Sequence, residues 1–328
     1  VSISAEALEL LDGITAYQRS ALIGAALETG VADALAAGER QVASIAASCG
    51  TDERGTLALL AGLVAIGVAE RDGDGFAPTA AGGLLASGGS GSLASIARKE
   101  WFFYRVWATL PEAVRDGHAR IPPWRERLEE DPATALEFLR ALDDLAALFG
   151  SELPSLARPC QGRLLDAGGG AGSHAAALVS ANPGLEATVL DLPPVEAVLR
   201  ERHPELGFLA GDLDSPRFGR PSGERWDVVL LANILHDHPA DHCAAYVREA
   251  AGLLAPEGSL LVYEWVIDED RVSPPAVALF TPMMLVENEG GWTWTEAEIA
   301  AWMADAGLRP EGLRRREGPI SVLRARLP

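Results

Sequence analysis

Between Leu164 and Ser173 the chain reads Leu-Leu-Asp-Ala-Gly-Gly-Gly-Ala-Gly-Ser, an apolar strand running straight into glycines. Such a bend lets the backbone turn sharply and lets a ligand approach without interference from Cβ atoms. Alone it is a weak signal, since a glycine-rich turn can hold nothing. Two acidic positions strengthen it. Asp191, twenty-five residues beyond Asp166, closes the next β-rich run, where a carboxylate can take both hydroxyls of a ribose. Gly211-Asp212-Leu213 closes a third, where Asp212 can accept from an adenine amino group. A nicotinamide dinucleotide fits this turn poorly. The frame Gly168-x-Gly170-x-Gly172 puts Ser173 where G-x-G-x-x-G wants its third glycine, and Asp166 would repel a diphosphate. A carboxylate there suits a ligand bearing positive charge. S-adenosylmethionine, with a sulfonium and an amino group and no phosphate, has that charge.

A second cluster lies at Leu235-His236-Asp237-His238, just past the β-rich run Trp226 to Leu231. That is the carboxyl edge of the sheet, where open α/β folds place their sites. The longer run from His236 to His242 approaches the H-x-H-x-D-H pattern of metallo-hydrolases, with one extra residue between His238 and Asp241. The insertion changes which side chains share a face, and the remaining ligands of such a site are not evident. Met283, Met284, Trp292 and Trp294 suggest a flat apolar acceptor, or equally a plain core.

The motifs Asp166 to Gly172, Asp191-Leu192-Pro193, Gly211-Asp212 and Leu235 to His238 together resemble the class I S-adenosylmethionine-dependent O-methyltransferase family. That family includes plant caffeate and flavonoid enzymes and bacterial antibiotic-tailoring and pigment enzymes. The resemblance spans almost the whole chain. It implies a Rossmann-like, doubly wound α/β catalytic domain behind a mainly helical winged-helix domain that dimerises. It also implies methyl transfer to a hydroxyl of a small, aromatic or polyketide-type natural product.

By resemblance, Asp166 and Gly168 lie by the methionine end of the cofactor, Asp191 by its ribose, and Asp212 with Leu213 by its adenine. Gly170, Leu192, Gly211 and Asn233 complete the cofactor contacts. His236 becomes the general base: the proton must leave as the oxygen attacks the methyl group, and an imidazole with a pKa of about 6.5 suits that task. Glu264 supports the ring, with Asp237 beside it. Met284, Glu287 and Asn288 line the acceptor pocket, followed by Trp292. The chain departs from the family twice. His238-Pro239 replaces the usual tryptophan after the His-Asp pair, and after Gly290-Gly291 no carboxylate follows until Glu296. Two alternatives stay open. One is C- or N-methylation, metal-assisted where Glu287 joins His236 and Asp237. The other is a ligand-binding regulator built on a degenerate catalytic fold.

The elements that must position these residues follow from the patterning. Arg163 to Asp166, Ala187 to Leu190, Gly207 to Ala210, Trp226 to Leu231 and Ser259 to Trp265 are β-rich runs, mostly separated by helical stretches. A parallel sheet with crossover helices requires that alternation. Residues 5 to about 150 read as mainly helical, opening with an amphipathic stretch through Leu8, Leu11, Ile14 and Tyr17. A helix from Val42 to Ser48, a second capped by Thr51 or Asp52, and a hairpin across Asp72 to Gly75 give the order of a winged helix. Arg54 is the only base on its second helix, so a role in dimerisation is expected and not DNA readout. Gly82-Gly83 and Ser87 to Ser92 read as a flexible loop. Pro154, Pro159 and Gly162 mark the boundary, giving domains 1–155 and 156–328.

Composition narrows the partners. Against 27 basic residues stand 47 acidic ones, a net charge of -20, which disfavours nucleic acid and anionic membrane. The three scattered cysteines argue against a disulfide framework or a cysteine-based zinc site. No apolar run approaches the roughly 18–20 residues of a membrane span, and no signal-peptide pattern is seen. A cytoplasmic protein is expected, and the richness in Ala, Gly, Arg and Pro suggests a bacterial source.

Overall fold

The computed structural model describes residues 3–88, 91–149, 152–157, 160–316 and 318–328. The chain forms two compact units, Val1–Arg105 and Val106–Pro328.

In the first unit, helices Tyr17–Glu28, Val31–Ala36, Val42–Cys49 and Glu53–Ala65 surround a core of Leu27, Val31, Leu35, Ile45, Leu60 and Leu63. Asp52 caps the last of these, its Oδ1 accepting the Gly55 amide at 2.9 Å. Strands β1 (Ala69–Asp72) and β2 (Gly75–Pro78) follow as an antiparallel hairpin. Gly82 and Gly83 are not in a flexible loop: they sit in the helical turn Ala80–Gly83. Here glycine serves close packing, since a Cβ at Gly82 would lie 1.9 Å from the Val68 carbonyl oxygen. Gly89 and Ser90 of the expected loop lie outside the described residues. The opening helix, Ala5–Thr15, buries none of its side chains, although it carries Leu8, Leu10, Leu11 and Ile14.

The second unit is built on a seven-stranded sheet. Its strands are β3 (Gly162–Ala167), β4 (Leu185–Asp191), β5 (Gly207–Ala210), β6 (Trp226–Ala232), β7 (Leu254–Trp265), β8 (Arg309–Arg315) and β9 (Ile320–Arg326). They lie in the order β5-β4-β3-β6-β7-β9-β8. Strands β3 to β7 are parallel; β9 runs antiparallel to both β7 and β8. The order reverses beside β3, creating the crevice that such sheets use for ligands. Alternation along β3 sends Leu164 and Leu165 to opposite faces, and each face has its own core. Helices cover both, which is why β6 is almost wholly apolar.

The sequence break at residues 154–162 falls inside this unit. Leu153 and Leu156, from the short helix Leu153–Leu156, pack with Leu164 and Leu178 in one of the two cores; Pro159 lies outside the described residues. The antiparallel pair β8 and β9 is an addition to the expected parallel sheet. Its outer strand, Arg-Pro-Glu-Gly-Leu-Arg-Arg, is charged because it forms the sheet edge.

Candidate active site

The carboxyl ends of β3, β4, β6 and β7 bring the singled-out residues to one edge of the sheet. Strand β3 ends at Asp166 and Ala167, and the chain turns through Gly168, whose φ is +76°. A side chain there would be strained, and its Cβ would lie 2.5 Å from Ile234 Cδ1. The helix Ser173–Ala181 then starts from Gly172. Asp191, ending β4, turns back on the loop: Oδ2 accepts the Gly170 amide at 2.9 Å and Oδ1 the Leu192 amide at 2.7 Å. Burial pushes its pKa up to about 6 despite these two donors. The Gly211 amide donates to the Asp191 carbonyl at 2.9 Å, which sets Asp212 and Leu213 beside it.

Asp166 is wholly buried; no side chain donates to its carboxylate, and the Ala175 amide nearby favours its charged form. Burial, with the Asp191 charge nearby, pushes its pKa up to about 7. Asn233, just past β6 and in the left-handed region at φ +55°, reaches His174: its Nδ2 lies 3.2 Å from His174 Nε2. The Asn233 Oδ1 and His174 Nδ1 are also buried without partners. Native interiors seldom leave such atoms unsatisfied.

The second cluster begins with the turn Leu235–Asp237. Glu264, completely buried near the end of β7, accepts the amides of Leu235 and His236 on Oε2 at 3.0 and 3.3 Å. Its Oε1 lies 2.5 Å from His236 Nδ1. This pins the ring and leaves Nε2 pointing past Asp237 Oδ1, 3.4 Å away. Burial alone would lower the His236 pKa, but the Glu264 and Asp237 charges outweigh it and hold it at about 9. Asn288 Nδ2 donates to Asp237 Oδ1 at 2.6 Å. Phe280 stands edge-on to the imidazole, 5.0 Å between ring centres, and stacks on Trp265. An imidazole so held can accept or deliver a proton at Nε2, between the Phe280 ring and the Asp237 carboxylate.

The remaining expectations divide. Met284 is buried one turn before Asn288, and Trp292 is 40% exposed, its amide donating to the His236 carbonyl at 2.9 Å. Trp294 belongs to the core, its Nε1 donating to the Leu235 carbonyl at 2.8 Å. Glu287 is buried and faces Arg127, whose Nη2 lies 3.5 Å from Oε1. Among the described residues no group of three or more His, Cys, Asp or Glu is arranged to hold a metal ion. His238 packs edge-on against Tyr246, whose hydroxyl donates to Asp214 at 2.5 Å.

Sequence reasoning missed three residues here: His174, Arg127 and Arg125, whose Nη2 lies 2.7 Å from Asp212 Oδ1. His174 stands two residues after the last glycine of the turn, so a polar side chain at that helix start was a usable signal. The arginines lie some forty residues upstream, on a helix (Trp124–Glu130) whose pairing depends on tertiary structure.

The comparisons agree with this geometry. Residues 107–309 match the model of the O-methyltransferase domain. The mitomycin biosynthesis 6-O-methyltransferase of Streptomyces lavendulae is 31% identical, over 93% of this chain and 90% of its own length. The tetracenomycin polyketide synthesis 8-O-methyltransferase of Streptomyces glaucescens is 30% identical, over 98% and 96% respectively. Among solved structures, human N-acetylserotonin methyltransferase in complex with S-adenosylmethionine superposes with a TM-score of 0.82 at 27% identity, covering 99% of both chains. With a family match over most of the chain and near full-length relatives, the protein belongs to the O-methyltransferase family.

Proposed function

We propose that the protein transfers the methyl group of S-adenosylmethionine to a hydroxyl of a small aromatic or polyketide-type acceptor, with His236 as general base. The names of its Streptomyces relatives support that acceptor class. When bound, S-adenosylmethionine supplies a methyl group made electrophilic by its sulfonium.

The chain's own residues fit that compound. Asp166 offers a buried carboxylate that suits a cation and would repel a diphosphate. Asp191 keeps lone pairs beyond its two amide contacts for ribose hydroxyls, and Asp212 with Leu213 stands next to it for the adenine. His236 must first lose the proton that Glu264 and Asp237 favour. A cation brought into the same edge of the sheet opposes the imidazolium and so promotes the neutral ring. Glu264 then holds Nδ1–H while Nε2 takes the acceptor's proton. Met284, Asn288 and Trp292 flank that position, with Glu287 paired to Arg127. The unburied Leu8, Leu10, Leu11 and Ile14 of helix Ala5–Thr15 support self-association as a homodimer through a winged-helix unit.

The observation that carries the reading is the His236–Glu264 pair at 2.5 Å beside the carboxylate-flanked glycine turn. Exchange of His236→Ala, assayed with hydroxyaromatic acceptors, is expected to cut turnover by about 10²–10⁴. Calorimetry should find affinity for S-adenosylhomocysteine nearly intact. Unchanged turnover would remove His236 from the mechanism.

A further inference from the structure

The helix Trp124–Glu130 brings a cation to the end of helix Pro275–Glu287. Arg127 Nη2 lies 3.5 Å from Glu287 Oε1, and the two side chains are only 17% and 7% exposed. Aromatic rings hold the guanidinium from other sides: its Cζ stands 5.4 Å from the ring centre of Trp124 and 5.7 Å from that of Phe138. The segment leading into this helix is fastened at the same place. There the Arg120 amide donates to the Val286 carbonyl at 2.8 Å, and Glu289 accepts the Ala119 amide at 3.0 Å. Glu287 is followed by Asn288, whose Nδ2 donates to Asp237 Oδ1 at 2.6 Å, and that oxygen lies 3.4 Å from His236 Nε2. The arginine is thus tied to the imidazole through one carboxylate and its neighbour in the chain.

Burial opposes the imidazolium form of His236, and the charges of Glu264, Asp237 and Glu287 outweigh it. Burial also disfavours ionisation of the adjoining His238. Among the described residues, Glu287 is the one of these three carboxylates that pairs with a guanidinium. A buried ion pair contributes little to stability, because desolvation offsets the attraction. Its charges still reach a buried neighbour, where water and salt screen them poorly. We infer that Arg127 is a positioning residue for the reaction: by holding and balancing Glu287 it limits how firmly His236 keeps its proton. Glu264 and Asp237 load the ring, and Arg127 withholds the full pull of the third carboxylate. The inference rests on the reading of His236 as general base, since a base held too firmly in its charged form cannot act.

The test titrates the ring itself. In full-length protein labelled at histidine, nuclear magnetic resonance follows the imidazole of His236, one of six histidines, its signal identified by loss in His236→Ala. Arg127→Met should move the His236 titration to higher pH by about 0.5–1 pH unit, and Glu287→Gln should move it to lower pH by a similar amount. Arg127→Lys keeps the charge and should hold the titration close to that of the parent. Arg127→Met strands a buried carboxylate; should it fail to fold, Glu287→Gln and Arg127→Lys decide the matter between them. A titration that stays in place in Glu287→Gln, or that moves upward in Arg127→Lys as far as in Arg127→Met, would overturn the inference. The acceptor kcat/KM profile of the same variants should shift with the titration. A titration that moves while the rate profile stays fixed would instead strike the reading of His236 as base, a failure separate from the first.

Discussion

Glu264 grips His236 at two points: Oε1 meets the ring Nδ1 at 2.5 Å, and Oε2 takes the residue's own main-chain amide at 3.3 Å. One carboxylate therefore fixes both the orientation of the imidazole and the strand-to-turn geometry that carries it. It also loads the ring with a proton, since the His236 pKa stands at about 9 in the unliganded site.

A base must be neutral to act, so methyl transfer should rise with pH below that value. The acceptor kcat/KM, measured from pH 6 to 10 at saturating cofactor, is expected to climb about tenfold per pH unit and level off at or below about pH 9. Glu264→Gln removes the negative charge and should move the rising limb to lower pH while lowering the plateau. A limb that stays in place in the variant would mean that another group titrates.

Asp166 makes the opposite bargain between stability and binding. Its folded pKa of about 7 lies above the ordinary 3.8. The folded state therefore loses stability as pH rises from about 4, and the loss is complete once the group ionises near 7. Asp166→Asn should thus be more stable than the parent by an increment that grows across that window, on the order of 1–4 kcal/mol at its upper end. The same exchange should weaken S-adenosylhomocysteine by at least tenfold. Thermal melts at pH 4.5 and 8, paired with calorimetry, check both halves. A melting temperature lowered at pH 8 would contradict the account.

Leu8 and Leu11 each remain 49% exposed, on a helix with no buried residue. The double exchange Leu8→Glu with Leu11→Glu should leave circular dichroism unchanged and convert a dimer into a monomer by light scattering. A parent protein that is monomeric at micromolar concentration would remove self-association from the proposed function.

Much of the catalytic unit was legible because the physics is local. Leu164 to Ser173 announces strand, glycine bend and helix in one run, and β6 is a continuous apolar stretch because both its faces are covered. Asp191, Asp212 and His236 could be placed from their positions just beyond such strands. The Glu264–His236 pairing came from family resemblance, since twenty-eight residues separate the partners. Strand β8 escaped notice because an edge strand needs no apolar face. Arg127 and Arg125 escaped because an arginine on an acidic helix reads as solvated, and only packing turns it toward Glu287 or Asp212. The cap at Asp52 was readable; the lack of burial along Ala5–Thr15 was not, because amphipathicity does not say what covers the apolar side.

Strand β9 follows β8 in the chain yet lies inside it, wedged between β8 and β7, with Ser321 paired to Glu264. Shortening the protein from that side therefore does not trim a border. It opens the sheet next to the strand that carries Glu264 and strips β7 of half its ladder. Any truncation, fusion or permutation that spares every residue of the ligand edge can still silence the enzyme, from the far side of the sheet, by letting Glu264 drift.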